Sequence, residues 1–473
     1  MKNKSIYSFL LPFLVVLGLA ALQFLPPMEI LGYEPKEVNL FSDVGVSFDV
    51  PDEELPDLDI IPTDSVKMAK SDKPAFKPLC PPGVTLIEDY SHLEPDTTGW
   101  VGHGMDHFYE MLGMIDRLGR PVRIAYFGDS FIEGDIITDE LRAELQTAFG
   151  GEGVGFVDIA SPTAGFRQSV RATSKGWSSH CITDSAGFHR SEQGIAERYY
   201  KARGAASVTL KGTGRSRLHQ DSCTVSHLYF RSPDGVSISA SMNQGEAQTF
   251  EALPSEEVQT LGVRGRMGRV TWTVASDSLQ NSSTFFGVTM ESEQGIVLDN
   301  FSLRGSTGLT IRTIPDETLA QFNKVRAYDL IVLQFGLNVA NVKQTNYSVY
   351  EKGMRKIVKK LSNAFPQASI LIVSVSDRGE NRNGEITTMK GITQLNRYQQ
   401  QLAYHTGCAF WNLYDAMGGE GSMAAMADTV PAMANKDYTH LNFRGGRYIA
   451  GLLYKAILAG KDNYEKQKAY EAE

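Results

Sequence analysis

The sequence predicts an α/β fold with a parallel sheet and an inserted all-β sandwich. Two stretches support the α/β part: apolar runs alternate with amphipathic helical segments before residue 164 and again after residue 305. The middle of the chain differs, because short alternating runs separated by turn residues replace the helical pattern there. With 473 residues, the chain is long enough for one large domain and a second, smaller one.

The first α/β unit follows a helical stretch at residues 106–118. The run VRIAYF at 122–127 is continuously apolar apart from one arginine, and it lies between Arg-Pro and Gly-Asp. Such a run is typical of a buried parallel strand that ends in a loop. Residues 139–149 then alternate apolar and charged side chains at helical spacing. This segment therefore predicts a strand, a loop and a helix.

The same alternation returns in the last third of the chain. Three apolar runs predict further buried strands, at residues 330–335, 370–375 and 409–413. Three amphipathic stretches predict the helices between and after them, at residues 350–364, 389–406 and 443–458. We expect both halves to complete one sheet, so the α/β domain comprises residues 86–164 and 298–473, and the β-sandwich insert comprises residues 165–297.

The N-terminus predicts export. Lys2 and Lys4 precede an uncharged, largely apolar run at 6–25, and this run is long enough to span a bilayer as a helix. Lysines before the run and glutamates after it place the body of the chain outside the cytoplasm. Its length favours an uncleaved anchor over a signal peptide cut near residues 18–21. Residues 1–25 are thus a signal anchor or signal peptide, and residues 26–85, rich in Pro, Asp and Glu, an extended linker.

Charge and cysteine content exclude several functions. The net charge of −9 and the absence of a Lys/Arg cluster argue against a nucleic-acid partner. The four cysteines show no C-x-x-C spacing, so we expect neither a zinc site nor another metal or cofactor. Export permits one disulfide, for which Cys181 and Cys223 are the favoured pair; four free thiols are an equal alternative.

Two short segments contain residues suited to nucleophilic catalysis. The tripeptide GDS ends in Ser130, directly after the first predicted strand. Asp437 precedes His440 by three residues, just before the last helix. A serine needs a base to take its proton, and that base needs a third group to hold it in one tautomer. Each segment also has a structural interpretation, Ser130 as a helix cap and His440 as a structural histidine.

Two further residues are candidates for stabilising an oxyanion. Asn338 follows the strand predicted at 330–335, and its amide can donate a hydrogen bond, although it can also form a turn. Gly305 begins the sequence GSTG and can offer a backbone N–H at close range, or form a simple turn. The carboxyl ends of parallel strands meet at one crevice. We therefore expect these residues to share one site with the serine.

The order Ser130, Gly305, Asn338, Asp437, His440 resembles the sequence blocks of the SGNH/GDSL hydrolase family. The resemblance implies a three-layer α/β/α, flavodoxin-like fold. It implies Ser130 as nucleophile, His440 as base and Asp437 as the acid that orients the base. It also implies an oxyanion hole formed by the N–H groups of Ser130 and Gly305 and the side chain of Asn338. No G-x-S-x-G elbow surrounds Ser130, which argues against the α/β-hydrolase fold.

Longer segments around these blocks, at residues 124–157, 407–423 and 437–448, resemble envelope esterases that remove O-acetyl groups from peptidoglycan. Those enzymes carry a carbohydrate-binding-like β-sandwich between the serine and glycine blocks. The resemblance implies a periplasmic or extracytoplasmic acetylesterase with an O-acetylated glycan as substrate. An acetyltransferase with a sugar hydroxyl as acceptor is the alternative, and a non-catalytic glycan-binding protein is a third.

The sequence departs from the family at two positions. Val339 follows Asn338 where relatives carry an acidic residue, and Phe131 follows Ser130 where relatives carry histidine or leucine. Neither position belongs to the triad. Both departures leave the identity of the substrate open.

Overall fold

The computed structural model describes residues 76–93, 101–184, 186–214, 219–275 and 282–472. The predicted membrane segment at 6–25 and most of the predicted linker lie outside these ranges. Within the described ranges, no helix is long and apolar enough to cross a membrane.

The helices and strands are numbered here in chain order. The described α-helices are α1 Asp106–Gly113, α2 Thr138–Phe149, α3 Asp316–Arg326, α4 Ser348–Ala364, α5 Ile392–Thr406, α6 Leu413–Met417, α7 Ser422–Asp428 and α8 Phe443–Ala472. The described strands are β1 Glu88–Asp89, β2 Val122–Gly128, β3 Gly155–Val157, β4 Val170–Cys181, β5 Arg198–Gly212, β6 Cys223–Ser232, β7 Val236–Met242, β8 Ala247–Ala252, β9 Ser255–Met267, β10 Arg269–Val274, β11 Thr284–Met290, β12 Ile296–Ser302, β13 Leu330–Gln334, β14 Ser369–Val373, β15 Gly379–Arg382, β16 Glu385–Thr388 and β17 Ala409–Trp411.

Six strands form the sheet that we call the parallel sheet. Their order is β1-β17-β14-β13-β2-β12, and every pair is parallel except the edge pair of β1 with β17. Strands β13 and β14 are buried along their whole length, as their continuous apolar sequence predicts for central parallel strands. The α/β class is therefore confirmed, while the three-layer arrangement stays a prediction.

Sequence periodicity explains most helices but not all. In α4, buried residues recur three or four positions apart, so one face of the helix packs against the core. Helix α3 was not predicted, because several of its buried residues, among them Gln321 and Arg326, are polar and break the apolar stripe. Helix α8 extends to Ala472, beyond the predicted end at residue 458.

The middle of the chain forms the antiparallel sheet, which has nine strands. Seven follow the order β8-β7-β10-β5-β11-β6-β9, while β3 pairs with β11 and β4 pairs with β5. The predicted all-β character is confirmed. Hydrogen bonds connect all nine strands, since the 15 residues of β5 pair with β4, β10 and β11. The two-layer packing of a sandwich stays a prediction.

The two sheets meet along β3 and β12. Phe156 in β3 donates its N–H to the Asp299 carboxylate in β12 at 2.8 Å. Asp299 in turn binds Arg326 of α3, whose guanidinium also contacts Glu291 at the end of the antiparallel sheet. These ionic groups are fully buried, and unpaired charges at such a depth would be strongly destabilising. The contacts place β3 of the antiparallel sheet against β12, an edge strand of the parallel sheet.

The predicted domain limits remain a proposal. Strand β3 belongs to the antiparallel sheet although it precedes residue 165, the predicted start of the insert. Strand β12 pairs with β2 from Ile296 onward, so the return to the parallel sheet begins two residues before the predicted limit at 298.

Candidate active site

Three adjacent strands bring three candidate residues to the same edge of the parallel sheet. Strand β2 lies between β12 and β13, and its last residue, Gly128, is in register with Ser302 and Gln334. The loops that follow the three strands therefore leave the sheet at the same level. These loops carry the residues expected to surround the reacting carbonyl: Ser130, Gly305 and Asn338.

A hydrogen-bonded chain joins the serine to the C-terminal loop. His440 Nε2 lies 3.1 Å from Ser130 Oγ, and His440 Nδ1 lies 2.8 Å from Asp437 Oδ2. An ionised carboxylate can only accept, so we assign the ring proton to Nδ1. The lone pair of Nε2 then faces the serine hydroxyl, the arrangement that allows the ring to take the hydroxyl proton.

The loop that holds Asp437 and His440 is built by local contacts. Asp437 Oδ1 accepts the backbone N–H groups of Thr439 and His440, each at 3.0 Å. Tyr438 between them adopts a positive φ of 53°, and its carbonyl accepts the N–H of Gly379. Partial burial opposes ionisation of Asp437, but the hydrogen bonds from His440 and Thr439 outweigh it and lower the pKa of this carboxyl group.

Asn338 connects the serine loop to the glycine loop. Its Nδ2 donates to Asp129 Oδ2 at 3.0 Å and to the Ser306 carbonyl at 3.0 Å. Both amide hydrogens therefore have acceptors in this structure. To act on a developing oxyanion, Nδ2 has to share or exchange one of these bonds when substrate enters.

Asp129 is a further residue of the candidate site, and the sequence alone indicated no role for it. Its side chain is 1% exposed, and its other oxygen, Oδ1, accepts the Phe131 N–H at 2.9 Å. Asp129 supplies the carboxylate oxygen that accepts the Asn338 amide. Burial raises the pKa of Asp129 to about 6, against the opposing effect of the hydrogen bonds from Phe131 and Asn338. In the sequence, only its position directly before Ser130 could have indicated this residue.

Gly305 is required for its backbone conformation. It has a φ of +76°, which residues with a side chain rarely adopt, and a side chain there would meet open space. The close approach of a ligand to the Gly305 N–H stays a prediction. Among the described contacts, neither the N–H of Gly305 nor that of Ser130 has an acceptor. Both remain available for a ligand.

Asp135 anchors the segment that follows Ser130. This buried residue has a φ of +65°, and its carboxylate accepts hydrogen bonds from Arg142 in α2 and from Arg167 and Ser169 next to β4. Burial opposes its ionisation, but the two arginines outweigh that effect and lower its pKa. The antiparallel sheet thereby helps to fix the loop that carries Ser130.

Arg378 is a second residue that the sequence analysis missed. It follows β14, and its Nη1 donates to the carbonyl of Leu337, next to Asn338, at 3.1 Å. Burial lowers the pKa of its guanidinium, although Asp437 and Glu380 lie close enough to oppose the shift. Arg378 thus links the asparagine loop to the Asp437 loop. In the sequence, its place after the carboxyl end of a predicted parallel strand could have indicated this residue.

The cysteines and one cluster of carboxylates and histidine lie outside the candidate site. All four cysteines are free, so of the two alternatives the structure has four thiols and no Cys181–Cys223 disulfide. The two residues lie in β4 and β6, which do not pair with each other. Asp89, His92 and Asp106 place potential ligand atoms within 4.8 Å of one another. Asp89 already accepts hydrogen bonds from the backbone of Ser91 and Met105. We therefore interpret this group as a structural cluster.

The structure is an α/β protein in which Ser130, His440 and Asp437 contact one another in that order at the carboxyl edge of the parallel sheet. No family model matches the chain, and no curated protein does. A solved structure of a peptidoglycan O-acetylesterase in action is similar to 80% of this chain and 99% of its own, with a TM-score of 0.63 and 19% identity. The chain therefore shares the fold of this acetylesterase structure.

Two other solved structures are more distant. An acetyl xylan esterase is 18% identical over 34% of this chain and 81% of its own, with a TM-score of 0.26. A family two carbohydrate esterase from Cellvibrio japonicus is 10% identical over 62% of this chain and 99% of its own, also with a TM-score of 0.26.

Proposed function

We propose that this protein is a serine esterase that removes O-acetyl groups from a cell-envelope polysaccharide, namely peptidoglycan. The observation that carries the proposal is the chain of contacts from Ser130 Oγ through His440 to Asp437, at 3.1 and 2.8 Å. The peptidoglycan O-acetylesterase with the same fold supports the choice of an acetyl ester. The exported body that the N-terminal sequence predicts supports a location in the envelope.

The first half of the reaction forms an acetyl-enzyme. Ser130 Oγ attacks the acetyl carbonyl while its proton passes to His440 Nε2. The N–H groups of Ser130 and Gly305, joined by Asn338 Nδ2, donate to the negatively charged oxygen of the tetrahedral intermediate. The intermediate collapses, the C–O bond to the sugar breaks, and His440 returns the proton to the departing sugar oxygen. Asp437 stabilises the imidazolium form of His440 throughout this step.

The second half releases acetate. A water molecule gives its proton to His440 Nε2 and attacks the carbonyl carbon of acetyl-Ser130. The same donors stabilise the second tetrahedral intermediate, and its collapse breaks the bond to Ser130 Oγ. The proton on His440 returns to this oxygen, which regenerates the hydroxyl.

Solvent access favours hydrolysis over transfer to a sugar. The side chains of His440 and Asp437 are 43% and 49% exposed, so water reaches the base directly. A transferase has to exclude water from its acyl-enzyme. The observed exposure therefore supports the esterase over the acetyltransferase.

The proposal is tested by measuring acetate release from an aryl acetate and from O-acetylated peptidoglycan, with the full-length protein. We expect turnover of both substrates and a loss of about 10⁴–10⁶-fold in kcat for Ser130→Ala. Ser239→Ala, in β7 of the antiparallel sheet, serves as the matched control and should keep full activity.

Adding a chitooligosaccharide to the aryl acetate assay separates the two activities. Acetate as the main product supports the esterase, whereas acetylated sugar in excess over acetate would show a transferase. Absence of turnover on either acetyl ester would refute both.

A further inference from the structure

The glycine loop comprises residues 302–313, from the end of β12 to the end of the helical turn Leu309–Thr313. Gly305 lies at its exposed tip, and among the described contacts its N–H has no acceptor. An oxyanion donor has to lie about 2.7–3.1 Å from the developing negative charge. Such precision at an exposed tip requires that both ends of the loop are held in place.

One short segment beside the antiparallel sheet contacts the glycine loop on both sides of its tip. We call Gln193–Arg198, which ends at the first residue of β5, the supporting segment. Arg198 Nη2 donates to the Ser302 carbonyl at 3.3 Å, before the tip. Gln193 Nε2 donates to the Thr313 carbonyl at 2.6 Å and to Thr313 Oγ1 at 3.3 Å, after the tip. Both ends of the loop are thus held by one segment.

Backbone contacts and burial make the supporting segment rigid. The Gly194 N–H donates to the Arg198 carbonyl at 2.9 Å, and the Glu197 N–H donates to the Gly194 carbonyl at 3.1 Å. Gly194 lies directly against Phe286 of β11, since a Cβ atom at this glycine would be 2.6 Å from the phenyl ring. The side chain of Gln193 is fully buried. A support of this kind can hold the loop in a single position.

Glu197 in the supporting segment has a conformation and an environment that cost stability. Its φ is 57°, a value that residues with a side chain rarely adopt, and its buried Oε2 has no described hydrogen-bond partner. Burial raises the pKa of its carboxyl group to about 7, against the opposing effects of a hydrogen bond from Thr310 and the charge of Arg198. Strain of this kind is concentrated at functional sites, which indicates that the segment does more than stabilise the fold.

Contacts within the glycine loop connect its supported end to the proposed oxyanion donors. Thr313 Oγ1 donates to the Thr310 carbonyl at 2.8 Å, and Thr310 Oγ1 lies 3.4 Å from Ser306 Oγ. Ser306 follows Gly305 directly, and its carbonyl accepts the Asn338 amide at 3.0 Å. A displacement at Thr313 would therefore move groups next to both Gly305 and Asn338.

We propose that Gln193 and Arg198 are positioning residues, which hold the Gly305 N–H where the oxyanion of the reaction forms. This inference rests on the proposed function, because the position of this N–H affects the rate only if an oxyanion forms beside it. Neither side chain contacts the substrate; both act through the glycine loop. The supporting segment then contributes to the chemical step, and it does so equally for small and for polymeric acetyl esters.

Gln193→Met tests the support by activity, because methionine is similar in length and cannot donate a hydrogen bond. A misplacement of about 1 Å can cost about 10²-fold in rate, so we expect kcat for aryl acetate to fall about 10–100-fold. KM should stay within about twofold, since ground-state binding is not affected. The loss of kcat should be the same for O-acetylated peptidoglycan. An unchanged kcat, or a loss confined to the polymer, would overturn the proposal.

Ser226→Ala is the matched control for the loss of a buried contact. Ser226 in β6 is fully buried and accepts the Trp272 indole N–H at 3.0 Å. Neither of these residues has a described hydrogen bond to the glycine loop. We expect both Ser226→Ala and Gln193→Met to lower the midpoint of urea unfolding, and Ser226→Ala to leave kcat and KM unchanged. An equal loss of kcat in the two variants would show general destabilisation and overturn the proposal.

A second variant tests the other end of the glycine loop. Arg198→Lys keeps a positive charge for Asp158, but one ammonium group replaces the two guanidinium nitrogens that contact Asp158 and Ser302. We expect a milder effect than for Gln193→Met, with kcat for aryl acetate about 3–10-fold lower and KM unchanged. An unchanged kcat would overturn the role of Arg198.

Hydrogen exchange separates this proposal from the esterase proposal. The N–H groups of Ser306 and Gly308 are hydrogen-bonded within the glycine loop, each at 3.0 Å. We expect Gln193→Met to speed their exchange at least about tenfold, measured by mass spectrometry of peptides from the loop, and Ser226→Ala to leave it unchanged. Equal exchange in Gln193→Met and the parent would overturn the positioning proposal even for an active esterase. Absence of aryl acetate turnover by the parent would refute the esterase, while the exchange rates would still decide whether Gln193 holds the loop.

Discussion

The loop that carries Ser130, the proposed nucleophile, and the loop that carries His440, the proposed base, are built in opposite ways. Around Ser130, residues Asp129 and Asp135 are buried and receive hydrogen bonds from segments far away in the chain. Around His440, the Asp437 carboxylate is half exposed, and its partners lie within three residues. One loop depends on both sheets, and the other is held largely by its own backbone.

This difference predicts how each loop responds to substitution. A change in the base loop removes a local contact that water can partly replace, so it should alter the rate and leave the fold intact. A change near the nucleophile removes partners of buried charges, so it should affect stability as well. The following substitutions test that contrast, from the largest expected effect to the smallest.

Replacing Asp437 should affect the rate alone. Asp437→Asn can donate to His440 Nδ1 and favour the wrong tautomer, so we expect kcat on aryl acetate to fall about 10³–10⁴-fold. Because the loop is exposed and local, the free energy of unfolding should change by less than about 1 kcal/mol. Steady-state kinetics and urea unfolding measure the two effects. The matched control is Asp428→Asn, an exposed carboxylate paired with Lys436, which should retain full activity. A large loss of stability in Asp437→Asn would remove the contrast between the loops.

Replacing Asp135 should affect stability first. In Asp135→Asn, the fully buried Arg142 and the nearly buried Arg167 lose their charged partner. Breaking a buried ion pair from one side costs about 3–5 kcal/mol, which urea unfolding would detect. Asp316→Asn, at a surface carboxylate, should change the unfolding free energy by less than about 1 kcal/mol. An effect at Asp135 as small as the effect at Asp316 would show that the antiparallel sheet does not brace the nucleophile loop.

Replacing Asn338 should lower the rate without changing the tautomer of His440. We expect Asn338→Ala to reduce kcat about 10²–10³-fold, the usual loss for one oxyanion donor, with KM for aryl acetate nearly constant. Asn243→Ala, at a turn of the antiparallel sheet, is the control and should leave kcat unchanged. A variant at Asn338 that raises KM and keeps kcat would instead assign this amide to ground-state binding.

Replacing Asp129 should give the smallest effect, and one that depends on pH. The folded-state pKa of about 6 is raised above the ordinary value of 3.8, so this group contributes stability below pH 3.8 that is lost as the pH rises through about 6. The side chain that Asp129→Asn introduces does not titrate. Relative to the parent, the variant should therefore gain about 1–3 kcal/mol of unfolding free energy between pH 4 and pH 7.

Urea unfolding at several pH values measures this difference. A difference between parent and variant that stays constant from pH 4 to pH 7 would contradict a raised pKa at Asp129. The absolute stability of the variant is a weaker test, because the Asp129→Asn substitution also alters the hydrogen bonds to Phe131 and Asn338 at every pH.

Sequence reasoning predicted the central strands of the parallel sheet and the residues at their ends. Strands β2 and β13 were predicted from continuous apolar runs, and the structure has them within one residue of the predicted limits. Edge strands β1 and β12 were missed. The first has two residues, and the second carries the buried Asp299, so neither shows the apolar run of a central strand.

The sequence alone determined those parts of the site that depend on contacts between residues close together in the chain. An aspartate three residues before a histidine can accept the backbone N–H groups that follow it and still reach the ring, so the pairing of Asp437 with His440 needs no distant contact. The place of Ser130 after an apolar strand is local in the same sense. Both features could be predicted because sequence neighbours are also neighbours in space.

Only the tertiary structure decided which distant groups meet at the nucleophile. Asn338 binds an aspartate 209 positions away, and Asp135 binds Arg167, which lies next to the other sheet. No sequence pattern fixes such partners, because they depend on the register of three parallel strands and on how the antiparallel sheet packs against them.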